Sequence, residues 1–577
     1  MISHEGDTSG IMTSFKEFAD ACETIEGIAS SLEMTTVVSS LLRRISESGD
    51  PDIELAIVSR FIMGRVFPDW SDVELGVGPS LVYDAISRAS GLPVKRIKQL
   101  VRETGDVGET AKVALEKGDE AAKSQTTFLD FTDAGGTAPA AGLTITIADV
   151  FERMNSIAHA SGKGSQQTKV KHLQYLFGTA SPVESKYLAR IVLEELRIGV
   201  GEGIVRDAIA QAFEEDVGAV ERAYMLINDL GEVSVTALHH DLDKVEIRIG
   251  RPIKPMLAQL GSFDDIKTVY AIEWKFDGTR VQIHKDGDHV RIFSRRLEDV
   301  TNSLPDIVKL VKSRITANQA ILDGEVVAVG AEGKPLAFQE ILRRFRRKYD
   351  ISAMVQKIPL YLNLFDIMYL DRVSLIDEDI HTRRERLVEI AEPHEQLRVA
   401  EQVLTDDPAI AHAVYQAALD AGHEGVMLKN PDSVYSPGKR GKNWLKVKPI
   451  METLDLVVVG ADWGEGRRAN LIGSYLLACY DADTGEFLEI GRVGTGITDE
   501  QLAELTELFS QYIVSEDGGA IEIKPAVVFE IAYEEIQKSK HYASGYALRF
   551  PRLVRVRFDK TPEDADTVER VERLAGG

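Results

Sequence analysis

The stretch EWKFDGTR, residues 273–280, decides how the rest of the chain is read. In an extended segment side chains alternate, so Glu273, Lys275 and Asp277 share one face, and Ile272, Trp274 and Phe276 the other. The apolar face is suited to a core. The polar face sets a lysine between two carboxylates, with Gly278 permitting a tight turn and Arg280 beyond it. Such a lysine is either half of a structural ion pair or a reagent. An edge strand with an exposed lysine between acids accounts for the fragment taken alone.

The same pattern recurs outward from this strand. In ILDGEVVAV, 321–329, Asp323 and Glu325 share a face, as hard oxygen ligands for Mg²⁺ or partners of a ribose would. In NWLKVK, 443–448, Lys446 and Lys448 share a face with Leu445 and Val447 opposite. Two lysines aimed the same way repel unless an anion lies between them, and a triphosphate suits that place. In HEGVMLKN, 423–430, Glu424 begins a strand and Lys429 ends it. Each charge is readable singly as a strand-end surface group; the ordered set is not.

At 577 residues the chain exceeds one core, and its 44% hydrophobic and 28% charged composition is that of a soluble globular protein. No run approaches the ~18 unbroken apolar residues of a membrane helix, and the polar start MISHEGDTSGIM is not a signal peptide. A cytoplasmic location is expected, with residues 1–12 as a loose extension. Cys22 and Cys479 lie in apolar surroundings and read as buried, reduced thiols. Two cysteines cannot build a four-cysteine zinc site.

The net charge of −25 is unevenly spread. Residues 1–250 hold 24 basic and 39 acidic groups, and residues 451–577 hold 13 and 24. The middle, 251–450, holds 30 and 29, so the acidic excess does not argue against a local polyanion site there. Periodicity changes along the same lines. Apolar residues recur at helical spacing from about Phe15 to Asp241. Short strands and helices mix after Arg251, and strands with one helix dominate after Pro449. Three domains are expected: all-α over 13–245, α/β with an antiparallel sheet over 246–449, and a small β-barrel over 450–577.

The motifs KFDGTR, SRRLEDVT, LDGE, LFDI, EGVMLK and WLKVK, in this order, resemble those of covalent nucleotidyltransferases, the polynucleotide ligases and mRNA capping enzymes. RFPRLVRVRFDKTPEDADT, 549–567, resembles the last motif of ATP-dependent DNA ligases. KYLARIVLEELRIGVGEGIVRDAIA, 186–210, resembles their helical DNA-binding domain. The likeness spans nearly the whole chain and is nearest to the archaeal replicative type. It implies a helical DNA-binding domain, a nucleotidyltransferase (adenylation) domain and an OB-fold domain. The implied activity is sealing of nicked duplex DNA with ATP and Mg²⁺, or Mn²⁺ in its place, by a monomer, in replication, repair and recombination.

The resemblance also implies roles. Lys275 is the nucleophile that forms lysyl-AMP. Glu273 reads the adenine amino group and Phe365 stacks on the ring. Arg280 and Arg295 contact ribose and phosphate, Glu325 the ribose or a metal, and Glu424 a metal. Arg440, Lys446 and Lys448 hold phosphates, and Arg557, Asp559 and Lys560 orient the leaving pyrophosphate. In RIGVGEG, 197–203, Arg197, Gly199 and Gly201 offer a phosphate site at a helix N-terminus, or only a glycine-rich turn. Lys163 and Lys169 in SGKGSQQTK lie in a loop suited to a DNA backbone or simply solvated. The basic run 343–348 reads as a phosphate contact or a solvated helix face. Gln125, Phe128 and Phe131 in QTTFLDF form a candidate sliding-clamp motif, with a buried helix end as the alternative.

A capping guanylyltransferase or RNA ligase would share the lysine motif and barrel but not the helical domain and last motif. An NAD-dependent ligase would normally bring a zinc module. A binding scaffold with a dead site has no reason to keep every charged partner.

Overall fold

The computed structural model describes residues 12–68, 70–71, 73–117, 144–330, 334–336, 341, 355, 357–449, 453–464, 468, 470–495, 497–517 and 519–575. The candidate clamp motif with Gln125, Phe128 and Phe131 and the basic run 343–348 lie outside them, as do residues 1–11. The chain divides into two units, Met1–Lys448 and Pro449–Gly577.

The first unit opens with helices whose starts are written in the sequence. Ser14, Ser30 and Asp50 cap the helices Phe15–Glu26, Ser31–Ile45 and Pro51–Ile62, their side-chain oxygens accepting from backbone amides that have no partner within the helix. Met34, Val38, Leu41, Leu42 and Ile45 recur at helical spacing and are all buried. Helix Pro182–Val192 is buried from Glu184 to its end, so Lys186 and Arg190 are carried inside. Both are paired, as buried charges must be. Lys186 Nζ lies 3.0, 2.7 and 2.6 Å from Glu23, Glu26 and Glu109. Arg190 lies 3.0 and 3.1 Å from Glu26 and Asp106.

Two sheets follow in the same unit. The first joins β1 (Leu257–Leu260), β2 (Tyr270–Lys275), β9 (Gln402–Thr405), β10 (Gly425–Lys429) and β11 (Arg440–Val447) in the order β1-β11-β10-β2-β9. The second joins β3 (Thr279–Asp286), β4 (His289–Ser294), β5 (Gln319–Ala328), β6 (Leu360–Leu370) and β7 (Val373–Ser374) in the order β4-β3-β5-β6-β7, with β8 (Leu397–Val399) beside β6. Pairing is antiparallel except for β1 with β11 and β6 with β8. The chain passes from one sheet to the other between β2 and β3, at FDG. Gly278 is needed there for close approach: a Cβ would sit 2.5 Å from the Val326 carbonyl oxygen and 2.9 Å from Glu325 Cγ.

The second unit wraps a bent antiparallel sheet round a main core, with a smaller cluster of Val457, Ala478 and Ala565 beside it. β12 (Leu454–Trp463) pairs with β17 (Val528–Ala532) through its first half and with β16 (Ala520–Ile523) through its second, while β13 (Ile472–Tyr480) covers its other edge. β14 (Phe487–Val493), β15 (Ile513–Asp517) and β20 (Arg552–Arg557) extend the sheet, and β18 (Glu535–Lys538) pairs with β19 (Tyr546–Arg549). Helix Asp499–Ser510 contributes Leu502, Leu505 and Phe509 to the core.

Candidate active site

Register places the polar residues of the first sheet in rows. Gln402, Glu273, Met427 and Lys446 lie opposite one another across β9, β2, β10 and β11. Ala271, Lys429 and Trp444 form the next row, and Lys275 lies opposite Gly425. The aromatics of β2 turn away as alternation predicts: Trp274 and Phe276 pack on His423 with ring centroids 5.2 and 5.1 Å apart.

Lys275 does not pair with Glu273, its neighbour two residues away. Its Nζ meets Glu424, which enters from the start of β10, 149 positions along the chain. The lysine side chain is 22% exposed and the glutamate 35%, so the pair is accessible. Glu273 is almost fully buried and carries different partners. One oxygen lies 2.6 Å from Lys429 Nζ, and the other accepts from Gln402 Nε2 at 3.0 Å. Lys429 Nζ also stands 4.9 Å over the Phe365 ring and 4.5 Å over that of Trp444.

The second sheet supplies the other wall. Arg280 of β3 donates to Asp323 of β5 through two nitrogens at 3.2 and 2.6 Å, and to the Met256 carbonyl at 2.6 Å. It also donates to the Tyr435 hydroxyl at 3.2 Å, and that hydroxyl donates to Asp323 at 2.8 Å. Burial beside Asp323 holds the Tyr435 phenol well above its usual range. Asp323 is thus committed to Arg280 and Tyr435. Glu325 is pushed up to about 8, chiefly by burial; Lys275 and Arg280 oppose that shift, and Glu424 and Asp323 add to it. A carboxyl so placed favours a positive charge nearby, and Glu325 with Glu424 fits the oxygen donors of a divalent cation.

Family models match three consecutive stretches: the DNA ligase N terminus over residues 14–210, the ATP dependent DNA ligase domain over 255–448, and the ATP dependent DNA ligase C terminal region over 468–560. The chain is 57% identical over 571 residues to a DNA ligase of Methanococcoides burtonii, covering 98% of this chain and 99% of that one. It is 49% identical to a DNA ligase of Archaeoglobus fulgidus, over 97% of this chain and 98% of that one. The chain belongs to the ATP-dependent DNA ligase family. A solved structure, Pmar-Lig_PreS3, shares the fold with a TM-score of 0.54 and 18% identity, over 94% of this chain and 99% of that one.

Phe365 of β6 is half-buried, edge-on to Trp444 at 6.3 Å. Arg295 and Arg440 are exposed, after β4 and at the start of β11. Lys446 and Lys448 are half-buried; Lys446 alternates with Trp444 on one face of β11, and Lys448 follows the end of that strand. In the ligase's helical part, Gly199 has φ +75° and Gly201 precedes helix Glu202–Phe213 without a side-chain cap. Glu202 is turned to Lys254, 2.6 Å away. Arg197 lies 2.5 Å from Glu195 and 3.8 Å from Asp106. Lys163 is exposed, whereas Lys169 donates to the Leu75 and Gly76 carbonyls at 2.6 and 3.2 Å.

In the second unit the last motif is tied to β12 and to itself. Arg557 meets both oxygens of Asp455 at 3.1 and 3.0 Å and both of Asp559 at 2.9 and 2.8 Å. Lys560 Nζ donates to Asp455 at 2.7 Å. The Arg557 guanidinium holds the Asp559 carboxyl well below its usual range.

Asp323, Lys429 and the motif order were visible in the sequence. Tyr435, Gln402 and Asp455 carry no local signal in the sequence, whereas Trp444 follows from alternation with Lys446. Both cysteines are buried; burial raises the Cys22 thiol and pushes that of Cys479 up to about 12. No helix among the described residues is long and apolar enough to cross a membrane.

Proposed function

We propose that this ligase seals nicks in duplex DNA through a covalent adenylate on Lys275. The observation that carries the reading is a partly exposed Lys275–Glu424 pair backed by Arg280, which is paired with the buried Asp323 and Tyr435. The lysine amine attacks the α-phosphorus of ATP; a P–N bond forms and the bond to pyrophosphate breaks. A DNA 5′-phosphate then takes the adenylate from Lys275, breaking the P–N bond. The neighbouring 3′-hydroxyl finally displaces AMP, giving a phosphodiester and releasing a proton.

Lysine attacks as a neutral amine, so Nζ must leave its proton and its ion pair with Glu424 before the first step. Glu273 and Phe365 would hold the adenine, one by its edge and one by its face. Arg280, Arg295, Arg440, Lys446 and Lys448 would compensate phosphate charge, which is worth most where water is excluded. Glu325 and Glu424 would hold a divalent cation, Mg²⁺ or Mn²⁺, whose chemistry is to neutralise phosphate oxygens and orient them. Arg557, Asp559 and Lys560 belong to the first step, at the leaving pyrophosphate.

The order helical DNA-binding region over 13–245, adenylation domain over 246–449 and OB-fold over 450–577 belongs to the same reading. So do a cytoplasmic location, action as a monomer, DNA contacts through Lys163, Lys169, Arg197, Gly199 and Gly201, and clamp docking through Gln125, Phe128 and Phe131.

Incubation with a divalent cation and α-labelled ATP tests the core of it. Acid-stable label on the protein, absent from Lys275→Ala, is expected; label that persists in Lys275→Ala refutes it.

A further inference from the structure

Glu273 is the carboxylate expected to read adenine, and its surroundings are built to a degree that reading does not require. Both oxygens are engaged by side chains from two neighbouring strands: Gln402 of β9 at 3.0 Å and Lys429 of β10 at 2.6 Å. Glu273 and Lys429 are each about 2% exposed. Desolvating a lysine and a glutamate together is costly, and an apolar pair of similar volume would serve stability as well. Lys429 is tied further to the expected base-stacking ring. Its Nζ lies 3.4 Å from the Phe365 carbonyl oxygen and 4.9 Å over the Phe365 ring. One ammonium therefore fixes both the edge reader and the face reader.

We propose that Lys429 and Gln402 set the enzyme's choice of purine, by holding Glu273 as a fixed acceptor-only carboxylate beside an amide donor. This rests on the reading in which Glu273 faces the base. Adenine presents an amino donor at position 6 and an acceptor at N1; guanine presents an acceptor at O6 and a donor at N1. A carboxylate anion only accepts, and the Gln402 amide nitrogen donates. Side by side they match adenine and oppose guanine at both positions. With Lys429 removed, one Glu273 oxygen loses the partner that fixes it, so the carboxylate is no longer held where it would oppose O6. Lys429 is thus a positioning residue acting through Glu273, and Gln402 is a second reader.

The full-length enzyme is assayed for lysine labelling with α-labelled ATP and, separately, α-labelled GTP. Lys429→Met and Gln402→Leu should each raise the GTP-to-ATP labelling ratio about tenfold or more, the scale of losing one hydrogen bond to a charged group. Lys429→Arg, which keeps the charge, should stay near the wild-type ratio. Gln402 is half-buried on an edge strand, so its variant keeps the test open if Lys429→Met does not fold. If the folded Lys429 and Gln402 variants slow both labels by the same factor, the proposal is overturned. Glu273→Gln separates the two levels. A ratio unchanged in Glu273→Gln refutes the reading in which Glu273 faces the base; a ratio that moves there but not in the Lys429 and Gln402 variants refutes this inference alone.

Discussion

Replacing Asp323 by Asn should damage both stability and the first chemical step. Asp323 is 1% exposed and Arg280 15% exposed, in a pocket closed by Phe365 and Trp444, whose rings lie 5.4 and 5.9 Å from the guanidinium. One carboxylate oxygen accepts from Arg280 Nε; the other accepts from Arg280 Nη2 and from the Tyr435 hydroxyl. An amide nitrogen in place of either oxygen confronts a donor. The guanidinium keeps its charge but loses its carboxylate partner, with one amide oxygen, the Met256 carbonyl and the Tyr435 hydroxyl left as neutral acceptors. Breaking a buried pair on one side costs about 3–5 kcal/mol, mostly through the charge left behind. Urea unfolding followed by tryptophan fluorescence measures that loss. Single-turnover labelling with α-labelled ATP measures the chemistry, where a displaced Arg280 should slow lysine adenylation by about 10²-fold. A stability change below about 1 kcal/mol, typical of an ordinary substitution, or labelling at the wild-type rate, refutes the role given to the cluster.

Other perturbations reach different parts of the site. The Glu325 carboxyl is raised to about 8 in the fold from an ordinary value of 4.5, so the native state binds the extra proton and stability falls as pH rises between them. Glu325→Gln should match wild type near pH 4 and exceed it at pH 8 by an amount on the order of a few kcal/mol; thermal unfolding across that range checks this, and a pH-independent difference contradicts it. Gly278→Ala drives a Cβ to 2.5 Å from the Val326 oxygen. Lysine labelling should fall sharply and stability by about 1–3 kcal/mol, and wild-type labelling would show that the β2–β3 corner yields. Arg557→Ala should slow labelling from ATP yet leave sealing of a pre-adenylated nick nearly intact, and equal losses in both assays would place Arg557 outside the first step.

The strands around Lys275 were legible because alternation is local. EWKFDGTR, ILDGEVVAV and NWLKVK each declare which residues share a face, and the structure keeps those faces within the strands; Asp277 and Lys448 lie just beyond the ends of β2 and β11. Alternation does not say which strand lies alongside. The order β1-β11-β10-β2-β9 puts residues 273, 402 and 429 within reach of one another, so the partners of Glu273 and Lys275 could not be read from neighbouring positions. Gly278 was legible as a special position for the wrong reason: the demand comes from β5 packed against it, not from a turn. Tyr435 lies in a loop with no periodic signal, and its role depends on Arg280 arriving from 155 residues away. Lys169 meets the Leu75 and Gly76 carbonyls, 94 and 93 positions away, and nothing near it in sequence reveals them.

Which atom carries the nucleotide decides the mechanism most directly. The full-length protein, incubated with ATP and a divalent cation and then digested, should yield one AMP-bearing peptide, with fragmentation placing the adduct on Lys275. That adduct should vanish when nicked duplex DNA is added and sealed product appears. An adduct on another residue, or sealing by Lys275→Ala, would contradict the account.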